Sequence, residues 1–409
     1  MKLFVYSGDG AQLVGQAFTQ ARHGRLTTTF TYDAAYLTAP RAYPVDPELP
    51  LADGLWPVTA ALPRSFLDAA PDRWGRNLID HRVTADARRL GTSAPTLTDA
   101  DYLLGVSDKP RQGELRFKRS PDGQFEHPAD DVPPLVGLPD LQAAAASVVA
   151  GDASADQAVN TLLDVGSASL GGARPKASVY DGDRLMIAKF AHAHDKWDVM
   201  AWEATALDLA QAAGVDVPRH ALRQIGGEAV LLTQRFDRDG DQRIGYMSAM
   251  TLCQADDGEQ RDYLDVAERL AAVSADSAAD LDQLWRRIAF GIAMNNTDDH
   301  LRNHGLLRQR KGWRLSPAFD INPNPVPDAA HATATGGATR GSETASALVD
   351  VAPLFGLTQT RVSQVLAEIL DATSAWRATA GANGISATEA GRFADAITAG
   401  RDALAAVSC

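Results

Sequence analysis

Polar residues with the spacing of a phosphoryl-transfer centre follow an apolar helical segment in the second half of the chain. The run NNTDDHLRN occupies residues 295–303, where Asp298 and Asn303 have the D-x4-N spacing of protein-kinase catalytic loops. Phosphoryl transfer needs a carboxylate beside the attacking hydroxyl and oxygen ligands for Mg²⁺. Asp320, in the segment AFDIN, lies where a second metal-binding aspartate is expected. A helix cap and turn would explain the first cluster alone, but the downstream Phe319-Asp320 pair disfavours it. Asp299 is out of register, so its substitution is expected to be milder.

Candidate nucleotide-binding residues precede this centre. Lys189 ends the apolar strand RLMIAK, where a lysine is costly unless it is paired or binds a ligand such as the phosphates of ATP. Glu203 on the next helical segment could pair with it, although an edge lysine and a surface glutamate are the plain alternatives. Residues 165–177, the glycine loop, contain Gly171 and Gly172, whose N–H groups could bind phosphate oxygens. The loop matches neither common nucleotide-binding glycine pattern, so a simple turn stays open as its alternative.

Composition excludes several classes of protein. The chain has 409 residues, a formal net charge of −13 and two cysteines outside any metal-binding spacing. The acidic balance disfavours direct nucleic-acid binding as the primary activity, and the cysteine pattern suggests neither a disulfide framework nor a zinc site. The first apolar run is too short for a signal peptide, and no run is long enough to span a membrane. A cytoplasmic protein with two or three structural units is therefore expected.

The elements that must position these residues are predicted from periodicity and turn signals. A hairpin and a third strand open the chain, and a helical segment follows around 65–84. Strand segments at 177–180, 184–190 and 229–233, with a helix at 199–213, fit the small nucleotide-binding lobe of a kinase-like fold. The rest is mostly helical. The predicted divisions are an N-terminal module at 1–118, a linker at 119–138, a small lobe at 139–237 and a helical catalytic lobe at 238–409.

The motifs in combination resemble one protein family. SLGGARPKA, IAKF, QRFDR, NTDDHLRN and SPAFDINP occur in this order and are similar to those of the HipA family of bacterial serine/threonine kinases. PDRWGRNLI, residues 71–79, resembles the N-terminal domain of that family. The resemblance covers nearly the whole chain. It implies an α+β, protein-kinase-like two-lobe fold with a β-containing N-terminal HipA-type module and a mostly helical C-terminal lobe.

The resemblance also implies roles for single residues. Asp298 would be the catalytic base, and Asn303 and Asp320 would bind Mg²⁺. Ser169 would be autophosphorylated, with Ser167 as the alternative. The residues implied in binding ATP are Gly171, Gly172, Lys189, Gln234, Phe236 and His300.

The resemblance implies a toxin that phosphorylates an aminoacyl-tRNA synthetase and is neutralised by a small helix-turn-helix antitoxin, HipB. DNA would be reached only through that antitoxin, and no membrane is involved. Arg174-Pro175 departs from the acidic or amide residue of some members, which leaves the substrate open. The D-x-H-x-x-N pattern also resembles phosphoinositide kinases. The alternatives are therefore a kinase-fold enzyme acting on a small molecule or lipid, and a non-catalytic protein that sequesters an antitoxin.

Overall fold

The structure, a computed structural model, describes residues 1–22, 25–125, 132–151, 154–167 and 172–408. The chain folds into two compact units that are each built from two stretches of sequence. The first unit contains residues 1–194 and 224–247, and the second contains residues 195–223 and 248–409. The four predicted divisions differ from these units, because the N-terminal module and most of the small lobe form one compact body.

The N-terminal module is built on an antiparallel five-stranded sheet with the order β4-β3-β2-β1-β5. Leu3 and Val5 of the first strand are fully buried, and Phe30 and Phe117 extend the same core. Phe4 and Tyr6 on the other face of β1 are also buried, which explains the continuous apolar run of this strand. The bounds are β1 (Lys2–Ser7), β2 (Gln12–Arg22), β3 (Arg25–Tyr32), α1 (Ala34–Leu37), β4 (Trp56–Pro57), α2 (Arg64–Asp68), α3 (Arg73–Leu90), α4 (Asp99–Leu104) and β5 (Leu115–Lys118).

The helix expected around 65–84 is in fact two helices, so that prediction was wrong in detail. Helix α2 ends at Asp68, and α3 begins at Arg73 with Asp72 in an extended conformation before it. Pro71 lies between them, and a proline disfavours helical conformation in the residue before it. The break places Asp72 at the start of an 18-residue helix.

The small-lobe sheet packs on helices from both sides of the predicted linker. Strand β7 pairs antiparallel with β6 on one side and with β9 on the other. The apolar face of these strands packs against α5 and α6. Together they form one apolar cluster, which also contains Trp74, Leu78 and Ile79 of α3. The N-terminal module and the small lobe therefore share a core. The bounds are α5 (Leu138–Ala150), α6 (Ala155–Asp164), β6 (Lys176–Asp181), β7 (Arg184–Phe190), α7 (Val199–Ala212), β8 (His220–Ile225), β9 (Glu228–Gln234), β10 (Arg238–Asp239) and β11 (Gln242–Arg243).

The second unit is mostly helical, as predicted. Its central helix, α10, packs against α9, α11, α12 and α14, and α7 packs against α12 and α13. Trp202 and Phe393 stack with ring centroids 3.9 Å apart inside this unit. The remaining bounds are β12 (Tyr246–Ser248), α8 (Ala249–Leu252), α9 (Tyr263–Val273), α10 (Ser277–Ala293), β13 (Gly305–Gln309), β14 (Gly312–Leu315), α11 (Gly341–Asp350), α12 (Gln359–Ser374), α13 (Trp376–Ala382) and α14 (Ala387–Ala406).

The predicted fold class, α+β, is confirmed by this architecture. Among the described residues, no helix is both long enough and apolar enough to cross a bilayer.

Candidate phosphoryl-transfer site

The polar run at 295–303 forms a turn directly after the buried helix α10. Helix α10 ends at Ala293, and Asn295 takes a left-handed conformation with φ 53° that stops the helix. The chain then closes a short 3-10 helix at Leu301–Asn303 before it enters β13. The side chains of Asp298 and His300 are exposed, whereas Asp299 and Asn303 are buried. The turn therefore presents Asp298 to solvent and keeps Asp299 inside.

Asparagine side chains join this turn to the segment that follows Asp320. Asn295 Nδ2 donates to the carbonyl oxygens of Asn324 at 2.7 Å and Val326 at 3.0 Å. Asn324 Nδ2 donates to Thr297 Oγ1 at 2.7 Å, and the Asn322 N–H donates to Asn296 Oδ1 at 3.2 Å. These bonds bring the segment of Asp320 to the 295–303 turn although many residues separate them in sequence.

Partial burial of its carboxyl group and the charges around it set the electrostatic environment of Asp298. Loss of surrounding water is the largest cause that raises the pKa of Asp298, and the nearby carboxylates of Asp320 and Asp299 raise it further. His300 acts in the opposite direction. Asp320 itself has a left-handed backbone with φ 59°, which is uncommon for a residue other than glycine. Such strained positions are concentrated at functional sites.

The donor set of this turn fits a hard divalent cation. Asn303 Nδ2 donates to the carbonyl oxygen of Asp298 at 3.1 Å, so the remaining oxygen of this amide is the atom that can bind metal. Within the described ranges, no three His, Cys, Asp or Glu side chains form a metal-binding group. Mg²⁺ does not require one, because it is usually held by one or two carboxylates together with substrate phosphates and water. Asp320 and Asn303 thus fit Mg²⁺ as ligands beside Asp298, and they do not form an all-protein cage.

Asp299 holds the turn from the inside. Its Oδ2 accepts hydrogen bonds from the Tyr263 hydroxyl at 2.5 Å and from His304 Nε2 at 3.1 Å. Its backbone carbonyl oxygen accepts a hydrogen bond from Thr333 Oγ1 at 2.6 Å. Burial alone would raise the pKa of Asp299, but the bonds and charge supplied by His304 and Tyr263 outweigh burial and lower it. Asp299 is therefore an ionised, buried residue that fixes the backbone beside Asp298. From these contacts we expect its substitution to be less mild than spacing alone suggests.

Two lysines lie opposite each other in the first unit, on the face of the sheet that the core does not use. Lys176 of β6 pairs in register with Lys189 of β7, and they are only 5% and 8% exposed. Ala177 and Ala188 belong to the apolar core, so strand alternation places both lysines on the other face. Ser178 shares this face, and its buried Oγ has no hydrogen-bond partner among the described residues. Two buried cations and an unsatisfied hydroxyl make a suitable environment for an anion.

The other predicted nucleotide-binding residues occupy distinct positions. Glu203 on α7 is 1% exposed, so its interpretation as a surface residue is wrong. Gln234 ends β9, and both Gln234 and Phe236 are half-buried. Arg235 alternates with them and forms a buried ion pair with Asp237 at 2.5 Å. Gln234 and Phe236 therefore lie on the side of the segment away from the buried ion pair. This position is compatible with their predicted role in binding ATP.

The glycine loop is described at both of its ends. Ser167 is fully buried, and Ser169 and Gly171 lie outside the described residues. Gly172 has φ 97°, and its N–H donates to the carboxylate of Asp72. In this conformation that amide is occupied, so its contact with phosphate stays a prediction. A φ of 97° is a conformation that residues with a side chain rarely adopt, which accounts for glycine at this position.

Sequence reasoning missed several residues of the site. Spacing identified the carboxylates, but Asn295, Asn296 and Asn324 act through contacts between distant segments, which spacing alone does not reveal. Lys176 could have been found, because it is a lysine directly before an apolar strand that pairs with the Lys189 strand.

Comparisons with known proteins identify a related sequence, a related fold and a family. The curated protein "Putative kinase Y4mE" of Sinorhizobium fredii (strain NBRC 101917 / NGR234) is 29% identical over 131 residues, which is 29% of this chain and 31% of that protein. The chain thus matches about a third of the length of that relative. The solved structure of HipA from Shewanella oneidensis MR-1, in complex with HipB and its operator DNA, has a TM-score of 0.62 at 14% identity.

The structural match to the Shewanella protein covers 98% of this chain and 96% of that chain, and at this identity it shows a shared fold. The family model for the HipA-like C-terminal domain matches residues 168–376, just over half of the chain. That range contains the lysine pair of the first unit and the 295–303 turn with Asp320. The chain belongs to the family of proteins with a HipA-like C-terminal domain.

Proposed function

We propose that this chain is an ATP- and Mg²⁺-dependent serine/threonine protein kinase that acts as the toxin of a toxin–antitoxin pair. The observation that supports this proposal most strongly is the meeting of Asp298, Asn303 and Asp320 at the turn after α10, where partial burial, together with neighbouring carboxylates, raises the pKa of Asp298. An excess of negative charge at an exposed turn is suited to a divalent cation and a polyphosphate.

Each residue has one task in the proposed reaction. Asp298 accepts the proton of the substrate hydroxyl as that oxygen attacks the γ-phosphorus of ATP, whose bond to the β,γ-bridging oxygen breaks and releases ADP. Asn303 and Asp320 supply oxygen ligands to Mg²⁺, which neutralises phosphate charge when bound. In the first unit Lys189 binds the phosphates and Gln234 and Phe236 contact adenine. His300, the exposed imidazole of the turn, and the N–H group of Gly171 complete the nucleotide contacts, and Gly172, whose N–H is bonded to Asp72, fixes the end of the loop beside them.

The partners proposed for the chain follow the family resemblance. The protein substrate would be a component of translation such as an aminoacyl-tRNA synthetase. A HipB-like helix-turn-helix antitoxin would neutralise the kinase, a proposal supported by the Shewanella HipA, whose solved structure contains HipB and operator DNA. The formal net charge of −13 makes direct DNA binding by this chain unfavourable, so DNA would be reached through the antitoxin. We place this activity in the cytoplasm.

Induced expression in a bacterial host tests the proposal. Three versions are compared: wild type, Asp298→Asn, and the control Asp257→Asn, which makes the same change at a side chain that is 84% exposed. Wild type and the control should arrest growth, add phosphoserine or phosphothreonine to at least one translation protein, and lower the charged fraction of one transfer RNA. Asp298→Asn should do none of these.

Two results would contradict the proposal. Growth arrest by Asp298→Asn would show that toxicity does not need the kinase centre, as expected for a protein that only sequesters a partner. New phospholipids or phosphorylated metabolites, with an unchanged phosphoproteome, would favour the small-molecule alternative.

A further inference from the structure

The N-terminal module contacts both ends of the glycine loop. Asp72 and Trp74, at the start of α3, contact Gly172 at the far end of the loop. Ser107 and Pro110, which follow α4, contact the residues that lead into it. We call these four residues the loop support. All of them, and the loop, lie within the first unit.

Gly172 is bound by two groups at the start of α3, the side chain of Asp72 and the backbone N–H of Trp74. Asp72 occupies the N-cap of α3, where an aspartate usually accepts N–H groups of its own first turn, but it makes no such bond here. Its carboxylate accepts the Gly172 N–H instead, and the Trp74 N–H donates to the Gly172 carbonyl at 3.3 Å. Both backbone groups of Gly172 are thus held by one rigid helix end.

The entrance of the loop is equally restricted. Ser107 Oγ donates to the carbonyl of Leu163 at 3.3 Å. Gly166 has φ 76°, and a Cβ there would collide with the ring of Pro110. Pro110 is itself fixed, because its carbonyl accepts Arg235 Nη1 at 2.7 Å. The entrance of the loop therefore rests on a rigid surface of the module.

We propose that the N-terminal module fixes the two described ends of the glycine loop, at Gly166 and Gly172, and that Asp72, through Gly172, is the positioning residue on which nucleotide affinity depends. This inference rests on the proposed kinase function, because it takes the loop to bind ATP. A loop whose ends are already fixed loses less conformational freedom when it binds a ligand, so the entropic cost of binding is smaller. The module then contributes to nucleotide binding, although none of its residues is proposed to contact ATP or the reacting atoms.

The matched variants are Asp72→Ala, Asp72→Asn and Asp86→Ala. Alanine removes the acceptor for Gly172, while asparagine keeps an acceptor oxygen and removes the charge. Asp86 lies on the same helix in a surface pair with Arg89, where its side chain is 52% exposed, so its loss tests the general effect of altering α3. Hydrogen exchange of the peptide covering 163–176 is measured without nucleotide, and KM and kcat for ATP are measured with Mg²⁺.

Asp72→Ala should accelerate exchange at the loop and raise KM for ATP by roughly tenfold, as expected for loss of a hydrogen bond to a charged group. The value of kcat should change much less, Asp72→Asn should restore most of the affinity, and Asp86→Ala should match wild type. Unchanged exchange and KM in Asp72→Ala would overturn the inference. Tighter ATP binding would also overturn it, because Asp72 would then compete with the nucleotide for Gly172. A wild-type protein that binds no ATP, but whose loop exchange depends on Asp72, would refute the proposed function and leave the loop support intact.

Discussion

The buried bond between Tyr263 and Asp299 allows a quantitative test of how the turn that carries Asp298 is held. Tyr263 is 4% exposed, and its hydroxyl donates to Asp299 Oδ2 at 2.5 Å. Burial and the neighbouring Asp299 carboxylate raise the pKa of Tyr263 well above 10, so the hydroxyl stays a donor at any ordinary pH. Tyr263→Phe removes this donor and leaves the ring in place.

The expected loss follows from the charge of the acceptor. A hydrogen bond to a charged group contributes about 1.5–3 kcal/mol, and its loss here leaves a buried carboxylate with one donor fewer. Each 1.4 kcal/mol is a factor of ten, so local opening of the turn should become roughly 10- to 100-fold more frequent. Amide hydrogen exchange of peptides that cover α9 and the 295–303 turn measures this opening directly.

Tyr102→Phe is the matched control. Its hydroxyl also donates to a carboxylate, Asp80 Oδ1, at 2.7 Å, but this pair is exposed to solvent. Water replaces a bond of this kind, so the control should shift exchange in its own region by less than about threefold. Equal effects of the two substitutions, or no change at the turn in Tyr263→Phe, would refute the view that Asp299 holds the turn.

The same reasoning predicts a change in acid stability. Asp299 has a lowered pKa in the folded chain, so its stabilising contribution is present above the unfolded value of about 3.9 and is lost as pH falls through the folded value. Tyr263 is one of the groups that lower this pKa. Acid unfolding of Tyr263→Phe, followed by circular dichroism, should therefore begin at a higher pH than that of wild type. If acid unfolding of Tyr263→Phe begins at the same pH as that of wild type, the hydrogen bond from Tyr263 does not contribute to the lowered pKa of Asp299.

Three further predictions concern nucleotide, self-modification and DNA. Lys189→Ala should weaken binding of ATP but not of adenosine in calorimetry, because it removes a contact to phosphate; equal weakening of both would make Lys189 structural. Wild type incubated with Mg-ATP should gain phosphate on Ser169 and then bind ATP poorly, whereas Asp298→Asn should stay unmodified. Ser167 is fully buried, which favours Ser169, and intact mass with peptide mapping decides between them. The purified chain should not shift operator DNA in a gel at physiological salt unless a basic antitoxin is added, and a salt-sensitive shift by the chain alone would contradict this.

Local patterns predicted most of the helices and strands that carry the site. The apolar helical segment before residue 295 and the strand segments at 177–180 and 184–190 correspond to α10 and to the β6–β7 hairpin. The segment at 65–84 forms two helices because Pro71 interrupts it, and this break creates the helix end that carries Asp72.

The site was predicted less completely than the fold. Spacing alone suggested that Asp299 matters less than Asp298, yet Asp299 is buried and bonded to Tyr263 and His304 from other segments. The contacts of Asp72 with Gly172 likewise join residues far apart in the chain. Such partners are set by the packing of whole elements, which no local pattern of residue types records.

The most direct test of the account is the transfer of labelled γ-phosphoryl groups from ATP by the purified protein. Wild type and the exposed control Asp257→Asn should show the same Mg²⁺-dependent rate. Asp298→Asn should lose roughly 100-fold or more, as general-base catalysis contributes on that order, while its calorimetric affinity for ATP stays near wild type. Asp320→Asn should lose transfer together with its response to Mg²⁺. Transfer by Asp298→Asn within a few fold of wild type would contradict the assignment of this turn as the catalytic centre.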